Sequence, residues 1–386
     1  VVSGVWETEV FRWMPHLRVS ILHGSKQKRL QALNDDADIY VINHDGVATI
    51  LPELHRKSGL DFILIDELSA YRNARTRRWK ALKKLTEKAK YVHGMTGTPM
   101  VKAPTDAYGQ ARLITPESVT PYFKAFQNQT MYQVSQFTWR PRGDALETVY
   151  KTLQPAIRVT LDECSDIPQT VYTTREVEMT PEQKKLYKKM RDEYHALCDG
   201  KDINAVNAGV RMGKLLQLAS GAVYSDTGPV ILENRPRVQA LCDLIDESEG
   251  KSIVFVPYRH QLSYLQSELS STYSLEVIHG GVSKSERDSI FAAFKGAQRK
   301  PEMLLAVPGT MSHGLSLTVA TTIIWWAPVA NLETYLQANA RITRADQTKH
   351  TVIAHNESSP IEKRVYKILR DRANLQQTLL EMYQAI

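Results

Sequence analysis

The chain has 386 residues, which suits two or three α/β domains of about 100 to 200 residues each. Its composition, 42% hydrophobic and 24% charged residues, is ordinary for a globular protein, and no apolar stretch approaches the roughly 18 residues that span a bilayer. The three cysteines, Cys164, Cys198 and Cys242, include no C-x-x-C pair. This argues against a disulfide framework or a cysteine zinc site and favours a reducing compartment.

Short apolar runs alternate with helix-length segments along most of the chain, and polar or glycine-containing turns follow the runs. Such runs predict buried strands of parallel sheets. They cover residues 38–43, 62–65 and 91–95, and then 252–256, 275–278, 303–307, 322–326 and 351–354. Because the rhythm occurs twice, the sequence predicts an α/β fold with two lobes, each built on a parallel sheet.

The middle of the chain has longer helical patterns. Thr180 is a predicted N-cap, with Pro181 at the first helical position and Gln183 at the third, so a helix is expected to run from there to about residue 198. Further helices are predicted over residues 204–219 and 238–249. The predicted divisions are an N-terminal lobe at 1–160, a helical connector or protrusion at 161–235 and a C-terminal lobe at 236–386.

The net charge of +7 is compatible with a polyanionic partner. Between residues 72 and 90, nine Lys or Arg residues stand against a single acid, Glu87. We call this stretch the basic segment; its cations are Arg72, Arg75, Arg77, Arg78, Lys80, Lys83, Lys84, Lys88 and Lys90. Two interpretations stay open: a surface that meets nucleic acid, or a solvated helix side, which is what most charge runs are.

The strongest local signal is the predicted strand at 62–65, which runs directly into Asp66 and Glu67. Ligands of α/β sheets bind at the carboxyl ends of strands. There an aspartate can hold Mg²⁺ through water, and a neighbouring glutamate can orient and deprotonate the water that attacks a γ-phosphate. The alternative is an ordinary turn, since short motifs match by chance.

The motif Thr96-Gly97-Thr98-Pro99 follows the predicted strand at 91–95. Two hydroxyls around a glycine make a tight polar turn, which can bond the Asp66-Glu67 loop on one side and a phosphate backbone on the other. The alternative is a plain β-turn.

Residues 337–347 are expected to form a helix that carries Arg341 and Arg344 at i and i+3, so that both guanidinium groups share one face. Two permanently charged forks could act as arginine fingers on a γ-phosphate. The alternative is a surface helix with ordinary ion pairs.

The order of these motifs resembles the Swi/Snf branch of the superfamily-two helicases. The ordered set is Asp66-Glu67, then 96–99, then Gly-Leu-Ser-Leu-Thr at 314–318, then 337–347, and the resemblance covers almost the whole chain. Trp6, Trp13, residues 41–44, Arg72-Asn73, 167–168, 179–187, 251–259 and 279–281 also match family segments. Ser69, His313 and Ser316 depart from the usual pattern. The lack of recognisable flanking reader domains resembles compact phage and bacterial members.

The resemblance implies two RecA-like lobes joined by a helical connector, with ATP hydrolysed at the lobe interface using Mg²⁺. It implies that Asp66 holds Mg²⁺ through water, that Glu67 is the base, and that Arg341 and Arg344 complete the site. The nucleotide-binding residues that it implies are Gln337, Gly314 and Thr96. Its nucleic-acid contacts are Asn43, Arg72, Asn73, Thr98, His279, Gly280, Thr310 and Ser312. The implied track is nucleic acid, with double-stranded DNA favoured over RNA, and translocation favoured over strand separation.

A motor of this kind needs a G-x-x-x-x-G-K-[ST] loop to grip phosphates, and the 386 residues contain no match. Gly250-Lys251-Ser252 is not one, because Ile245 occupies the first glycine position and the triplet precedes a predicted strand. We expect the loop upstream of Val1, which would leave these residues by themselves ATPase-deficient.

Two other functions stay open: a nucleic-acid-binding protein without turnover, and a scaffold that recruits a nuclease or a replication or repair partner. The expected location is the cytoplasm of a bacterial or phage-infected cell, or the nucleus of a eukaryote, with no membrane partner.

Overall fold

The computed structural model describes residues 2–100, 102–136, 138–158, 167–198, 205–225, 228–296, 298, 300–311, 316–344 and 346–382, with the backbone alone at 2–5, 193–198, 205–209, 211, 225 and 374–382. The chain divides into two compact units. Unit 1 comprises residues 1–158 with 374–386, and unit 2 comprises residues 159–373. Both are built from helices and parallel strands, so the predicted α/β fold class is confirmed. The three domain boundaries stay a prediction.

Unit 1 contains two separate pairs of parallel strands and one antiparallel hairpin. The strands are β1 (Val19–Leu22), β2 (Ile39–Ile42), β3 (Phe62–Ile65), β4 (Tyr91–Gly94), β5 (Met131–Ser135) and β6 (Thr138–Pro141). The helices are α1 (Val2–Trp13), α2 (Lys26–Leu33), α3 (His44–Thr49), α4 (Leu51–Arg56), α5 (Arg77–Thr86), α6 (Asp106–Ile114), α7 (Phe123–Thr130) and α8 (Ala145–Thr152), with 3₁₀ helices at Leu68–Tyr71 and Pro116–Ser118. β1 pairs with β2, β3 with β4, and β5 with β6.

Local sequence starts the helices that flank these strands. Ser25 caps α2 by accepting the backbone N–H of Lys28 at 3.3 Å, and Thr76 caps α5 in the same way from Trp79 at 3.3 Å. Each cap satisfies a donor that would otherwise lack an intrahelical partner. The first turns of α2 and α5 are thereby set by residues next to them in the chain.

One face of the β3–β4 pair is apolar and open to solvent. Phe62, Leu64, Tyr91 and Met95 are 52%, 42%, 53% and 41% exposed, whereas Ile65 on the opposite face is 4% exposed. We call the four exposed side chains the open face. Parallel sheets are normally covered on both faces. Among the described residues, no further strand pairs with β3 or β4.

Unit 2 is built around a six-stranded parallel sheet in the order β11-β12-β10-β13-β14-β7. Its strands are β7 (Thr170–Glu176), β10 (Lys251–Phe255), β11 (Leu275–Ile278), β12 (Met303–Ala306), β13 (Ala320–Trp325) and β14 (Thr351–Glu357), and a hairpin is formed by β8 (Ala222–Ser225) and β9 (Gly228–Ile231). The helices are α9 (Pro181–Cys198), α10 (Ala205–Ala219), α11 (Arg235–Asp246), α12 (Arg259–Leu269), α13 (Lys284–Lys295), α14 (Leu332–Asn339) and α15 (Pro360–Met382), with a 3₁₀ helix at Pro308–Thr310; α15 belongs to unit 2 up to residue 373.

The predicted start of α9 is confirmed in detail. The backbone N–H of Gln183 donates to the Thr180 hydroxyl at 3.3 Å, and the N–H of Thr180 donates to the Gln183 side chain at 2.9 Å. By contrast, α11 begins three residues before its predicted start, with a proline in its first turn, where proline is tolerated. Strand β7 and both hairpins were not predicted from the sequence.

A buried ion pair ties α11 to α15. Arg237 donates to the Glu362 carboxylate at 2.7 Å, to the Ser358 hydroxyl at 2.6 Å and to the Asn356 carbonyl at 3.0 Å, and it also bonds the Trp326 carbonyl. The side chains of Arg237 and Glu362 are 2% and 0% exposed. A buried charge needs a full set of partners, and this one has them.

None of the helices in the described parts of the chain is both long enough and apolar enough to cross a membrane.

Candidate functional site

The Asp66-Glu67 pair forms a strained turn directly after β3. Glu67 has φ 49° and ψ 56°, the left-handed region that costs a non-glycine residue about 1 to 2 kcal/mol. Its N–H donates to the Asp66 carboxylate at 2.9 Å. Asp66 is exposed and Glu67 is half-buried.

The chain after β4 holds this turn from both sides. The N–H of Met95 donates to the Ile65 carbonyl at 2.8 Å, and the N–H of Leu68 donates to the Met95 carbonyl at 2.8 Å. These two backbone bonds bracket Asp66 and Glu67. Met95 is also the residue immediately before the Thr-Gly-Thr-Pro turn, so the two motifs are linked through the main chain.

Within the Thr-Gly-Thr-Pro turn, the N–H of Thr98 donates to the Thr96 hydroxyl at 3.0 Å. Thr98 is 8% exposed, and its own hydroxyl has no hydrogen-bond partner among the described residues. The next turn is anchored by Gln110, which donates to the Pro99 carbonyl at 2.6 Å. A buried hydroxyl without a partner costs free energy, which makes Thr98 a point where the turn can accept a further interaction.

An exposed carboxylate at the end of a parallel strand fits a hydrated Mg²⁺ ion. Asp66 offers hard oxygen ligands, and Mg²⁺ usually keeps several waters while it is held by one or two carboxylates. Within the described residues the Asp66 carboxylate accepts a hydrogen bond from the Glu67 N–H, which leaves oxygen lone pairs for a hydrated cation. The residues present at this turn therefore fit a hydrated Mg²⁺ ion.

Three consecutive side chains after β2 contact three different elements. Asn43 accepts a hydrogen bond from Arg29 of α2 at 2.9 Å. His44 bonds the hydroxyl of Tyr71 at 2.9 Å, and their rings meet edge to face at 5.1 Å. Burial raises the pKa of Tyr71, which is 1% exposed. Because Tyr71 ends the 3₁₀ helix that follows Glu67, this contact joins the β1–β2 region to the turn at Asp66 and Glu67, which we call the acid turn.

The third of these side chains, Asp45, pairs with Arg78 of the basic segment at 3.0 Å. Another member of the segment, Lys83, lies 3.7 Å from Glu87 and is only 17% exposed. Arg78 and Lys83 thus have acid partners within the chain. The exposed members are Arg75, Arg77, Lys80, Lys84, Lys88 and Lys90.

Arg72 and Asn73 lie in the turn before α5. Arg72 donates to the Ser69 carbonyl at 3.4 Å, and the Asn73 side chain accepts the N–H of Arg75 at 2.9 Å, as in an Asx turn. Helix α6 comes very close here, because a Cβ on Gly109 would lie 2.5 Å from the Arg72 carbonyl oxygen. Asn73 therefore has a local structural role, whatever it contacts outside the chain.

The predicted helix over residues 337–347 is wrong. Helix α14 ends at Asn339, and the two arginines lie in the turns that follow. Arg341 is 3% exposed, and its Nε donates to the Gln337 carbonyl at 3.0 Å. Arg344 is half-buried, and its Nε donates to the Ala340 carbonyl at 3.2 Å. The arginines do not share a helix face.

Tertiary hydrogen bonds explain why the helix stops. The Arg341 carbonyl accepts the N–H of Leu317 at 2.9 Å, so it is not available to a helix. The amide of Gln347 donates to the carbonyls of Thr318, Ala320 and Ile342 at 3.1, 3.2 and 2.9 Å. The segment is thereby fastened to the residues before β13.

Asp346 contributes a link that sequence reasoning missed. It accepts hydrogen bonds from the hydroxyls of Ser316, at 3.2 Å, and Thr318, at 2.8 Å. These bonds join the motif at 314–318 to the motif at 337–347. The hydroxyl of Ser316 thus has a defined partner, although serine departs from the usual family residue there. Spacing carries no signal for this link, because about thirty residues separate the partners.

Two other predicted contact positions follow strands of unit 2. His279 comes after β11, and its Nδ1 accepts the N–H of Gly281 at 2.9 Å, beside the exposed Gly280. Thr310 lies in the 3₁₀ helix after β12, where its hydroxyl donates to the Val307 carbonyl at 2.7 Å. Both positions are at the carboxyl ends of neighbouring parallel strands. Ser312 and Gly314 lie outside the described residues.

The first unit thus carries an acid pair after a parallel strand, and the second carries an arginine-containing turn tied to a neighbouring motif. Acids after a strand and arginines near the γ-phosphate are parts that recur in nucleoside-triphosphate hydrolases. The chain belongs to the SNF2 family: the SNF2-related domain matches residues 1–222, and the helicase conserved C-terminal domain matches residues 236–346. The predicted Swi/Snf membership is confirmed.

The chain is similar at low identity to several named proteins. The chain is 27% identical to the putative protein p41 of Acyrthosiphon pisum secondary endosymbiont phage 1, over 91% of the chain and 78% of that protein. It is 23% identical to an ATP-dependent helicase of Mycoplasma pneumoniae, over 97% of the chain but 36% of that protein. A solved Sulfolobus solfataricus SWI2/SNF2 ATPase core in complex with dsDNA is similar at a TM-score of 0.44 and 20% identity, covering 98% of this chain and 80% of the other.

Proposed function

We propose that this chain is the motor part of an ATP-dependent translocase that moves on double-stranded DNA. The observation that carries the proposal is the strained Asp66-Glu67 turn, bracketed by two backbone hydrogen bonds from Met95 in a chain of the SNF2 family. Strain of this kind persists where the surrounding structure holds it, and it concentrates at functional sites.

The acid turn would do the chemistry. Asp66 would hold Mg²⁺ through water, and Glu67 would orient the attacking water and accept its proton. When bound, Mg²⁺ would neutralise charge on the β- and γ-phosphates of ATP. Arg341 and Arg344 would stabilise the charge that develops on the γ-phosphate, while Gln337, Gly314 and Thr96 would contact the nucleotide.

Met95 supplies a route by which the nucleotide can affect the track. A shift of the Asp66-Glu67 turn would pull on both of the backbone bonds to Met95, and Thr96 and Thr98 lie one and three residues further on. The unpartnered Thr98 hydroxyl would then move relative to a bound phosphodiester. Contact with the track thus depends on the state of the acid turn.

The proposed contacts with the DNA backbone come from turns in both units. They are Asn43, Arg72, Asn73, Thr98, His279, Gly280, Thr310 and Ser312, together with the exposed cations of the basic segment. Contacts of this kind position the protein without reading sequence, and their cationic members make binding depend on salt. We favour DNA over RNA as the track; a nuclease, replication or repair partner is a further proposal.

These 386 residues contain no phosphate-gripping loop, so we propose that they do not turn over ATP by themselves. The open face of unit 1 is a surface on which a further segment of chain could pack. Phe62, Leu64, Tyr91 and Met95 expose apolar surface on a parallel pair that normally has cover on both sides. A segment packed on this face, rather than a strand paired at its edge, would cover this surface.

The absence of the loop also favours a second candidate function, a DNA-binding protein without turnover. A comparison of the 386-residue chain with a chain extended by the upstream coding residues separates the two. The motor proposal expects DNA-stimulated ATP hydrolysis from the extended chain alone, and loss of hydrolysis but retention of DNA binding in its Glu67→Gln variant.

Failure of the extended chain to hydrolyse ATP in the presence of DNA would overturn the motor proposal and leave the binding protein. If the 386-residue chain shows no salt-dependent binding to duplex DNA, both of these functions fail and the scaffold remains.

A further inference from the structure

Arg29 connects the two loops that follow β1 and β2. It lies in α2 and is 8% exposed. Its guanidinium donates to the Leu22 carbonyl at 2.6 Å and the Gly24 carbonyl at 3.0 Å, both at the end of β1, and to the Asn43 side-chain oxygen at 2.9 Å, just after β2. One buried cation thus fixes both loops at the carboxyl edge of this strand pair.

This contact determines which way the Asn43 amide points. A guanidinium has five donors and no acceptor, so only the oxygen of an asparagine amide can face it. The NH₂ group of Asn43 occupies the opposite edge of the planar amide and therefore faces away from Arg29. It presents two hydrogen-bond donors there, which is the polarity that a phosphodiester oxygen requires.

Glycines make the close packing possible. A Cβ on Gly46 would lie 2.6 Å from the Asn43 side-chain oxygen and closer still to the Arg29 guanidinium, so a larger residue would separate the pair. Gly24 has φ +92°, a conformation that L side chains rarely adopt. The stem of the exposed Lys28 packs beside Gly24, which places a cation next to the same surface.

We propose that Arg29 is a positioning residue that holds Asn43 with its NH₂ group turned toward the nucleic-acid backbone. Together the loop at 23–25, Asn43 and Lys28 form one phosphodiester-binding surface. Lys28 gives this surface a positive charge. Asn43 gives it hydrogen-bond donors whose direction depends on Arg29. The inference rests on the proposed function only in assuming that the chain binds DNA.

Asn43→Asp tests the proposed orientation of the Asn43 amide. The variant should keep or gain thermal stability while it loses affinity for DNA. A carboxylate has nearly the same shape and accepts a charge-assisted hydrogen bond from Arg29, so the melting temperature should stay the same or rise. It has no N–H donors, so affinity for a short DNA duplex should fall about 10- to 100-fold. Thr49→Asp is the matched control: it adds the same charge at an exposed position of α3, and we expect less than a threefold change.

Arg29 and Lys28 variants separate positioning from direct charge contact. Because Arg29 is buried, Arg29→Lys should weaken binding while the slope of log affinity against log salt stays unchanged. Lys28→Gln should reduce that slope by about 0.9, the contribution of one phosphate contact. Gly46→Ala should reproduce the Arg29→Lys result, although it keeps both partners.

The outcomes divide cleanly when fluorescence anisotropy and thermal melting are measured on the 386-residue chain. If the wild-type chain does not bind duplex DNA, the proposed function fails. If it binds and Asn43→Asp binds equally well, or melts at a clearly lower temperature, the orientation proposal fails while the function stands. A reduced salt slope in Arg29→Lys would mean that Arg29 itself contacts phosphate, which also overturns the positioning role.

Discussion

The strands β3 of unit 1 and β12 of unit 2 have similar sequences but different surroundings. Phe-Ile-Leu-Ile at 62–65 and Met-Leu-Leu-Ala at 303–306 are both short apolar runs. In unit 2, every residue of β12 is fully buried, because β10 and β11 flank it and helices cover both faces. In unit 1, alternate residues of β3 face solvent. An apolar run therefore predicts a strand, while its burial depends on neighbours that the run does not specify.

This difference predicts where each unit tolerates change. The unit 2 core reaches from β12 to Trp325 and Trp326, both 0% exposed, so deletions there leave cavities. The acid turn of unit 1 sits at the end of a strand with one uncovered face. Its geometry depends on two backbone hydrogen bonds with Met95 and on the buried side chains of Ile65 and Leu68 beside it.

The largest expected effect comes from a matched pair of leucine-to-alanine substitutions. Leu304→Ala in β12 removes a side chain that is 0% exposed and should lower the free energy of unfolding of unit 2 by about 2 to 5 kcal/mol. Leu64→Ala in β3 removes one that is 42% exposed and should change stability by no more than about 0.5 kcal/mol. Urea unfolding followed by tryptophan fluorescence measures both.

A large loss in Leu64→Ala would mean that the open face is covered in solution, and the contrast between the units would disappear. In the chain extended upstream, by contrast, we expect Leu64→Ala to become clearly destabilising. That change would locate the added segment on the open face.

An effect of intermediate size is expected in the pH dependence of unfolding, because the densely packed unit 2 buries a histidine. Burial, with a smaller contribution from Arg370, lowers the pKa of His355 from 6.5 to about 3. His355 is 1% exposed and bonds the Tyr335 hydroxyl at 2.8 Å. Below pH 6.5 the unfolded chain therefore binds a proton that the folded chain does not. Stability from this site is complete above pH 6.5 and is lost as pH falls toward 3, by up to about 1.4 kcal/mol per pH unit.

Denaturant unfolding at pH 7, 6 and 5 checks this expectation. His355→Gln should flatten the pH dependence of unit 2, although it also lowers stability at pH 7 because the Tyr335 hydroxyl loses a partner. His93→Gln, at an exposed histidine of β4, is the control. An unchanged slope in His355→Gln would show that another group dominates the acid response.

The smallest expected effect concerns strain in the acid turn. Because Glu67 has a left-handed backbone, Glu67→Gly should be more stable than Glu67→Ala by about 1 kcal/mol. The same comparison at an ordinary helical position, Lys80 in α5, should have the opposite sign, since glycine weakens helices. Equal stabilities of the two Glu67 variants would contradict the strained conformation.

Much of the fold followed from local sequence. Strands β3 and β11 occupy the predicted residues, and α9 begins with the predicted Thr180–Gln183 capping box, because short apolar runs and helix caps are properties of neighbouring residues. Strand β1, the hairpins and the edge strand β7 were missed. β7 alternates little and pairs with β14, some 180 residues away, so its own residues carry a weak signal.

The candidate site divides in the same way. The sequence by itself determined the family, the α/β class and the positions of the acid pair and the threonine turn, because these depend on residue type and order along the chain. Only the tertiary structure decided that α14 stops before Arg341, that Asp346 joins two motifs, and that Arg29 orients Asn43. Each of these depends on a hydrogen bond between residues distant in sequence, and such partners are chosen by packing rather than by spacing.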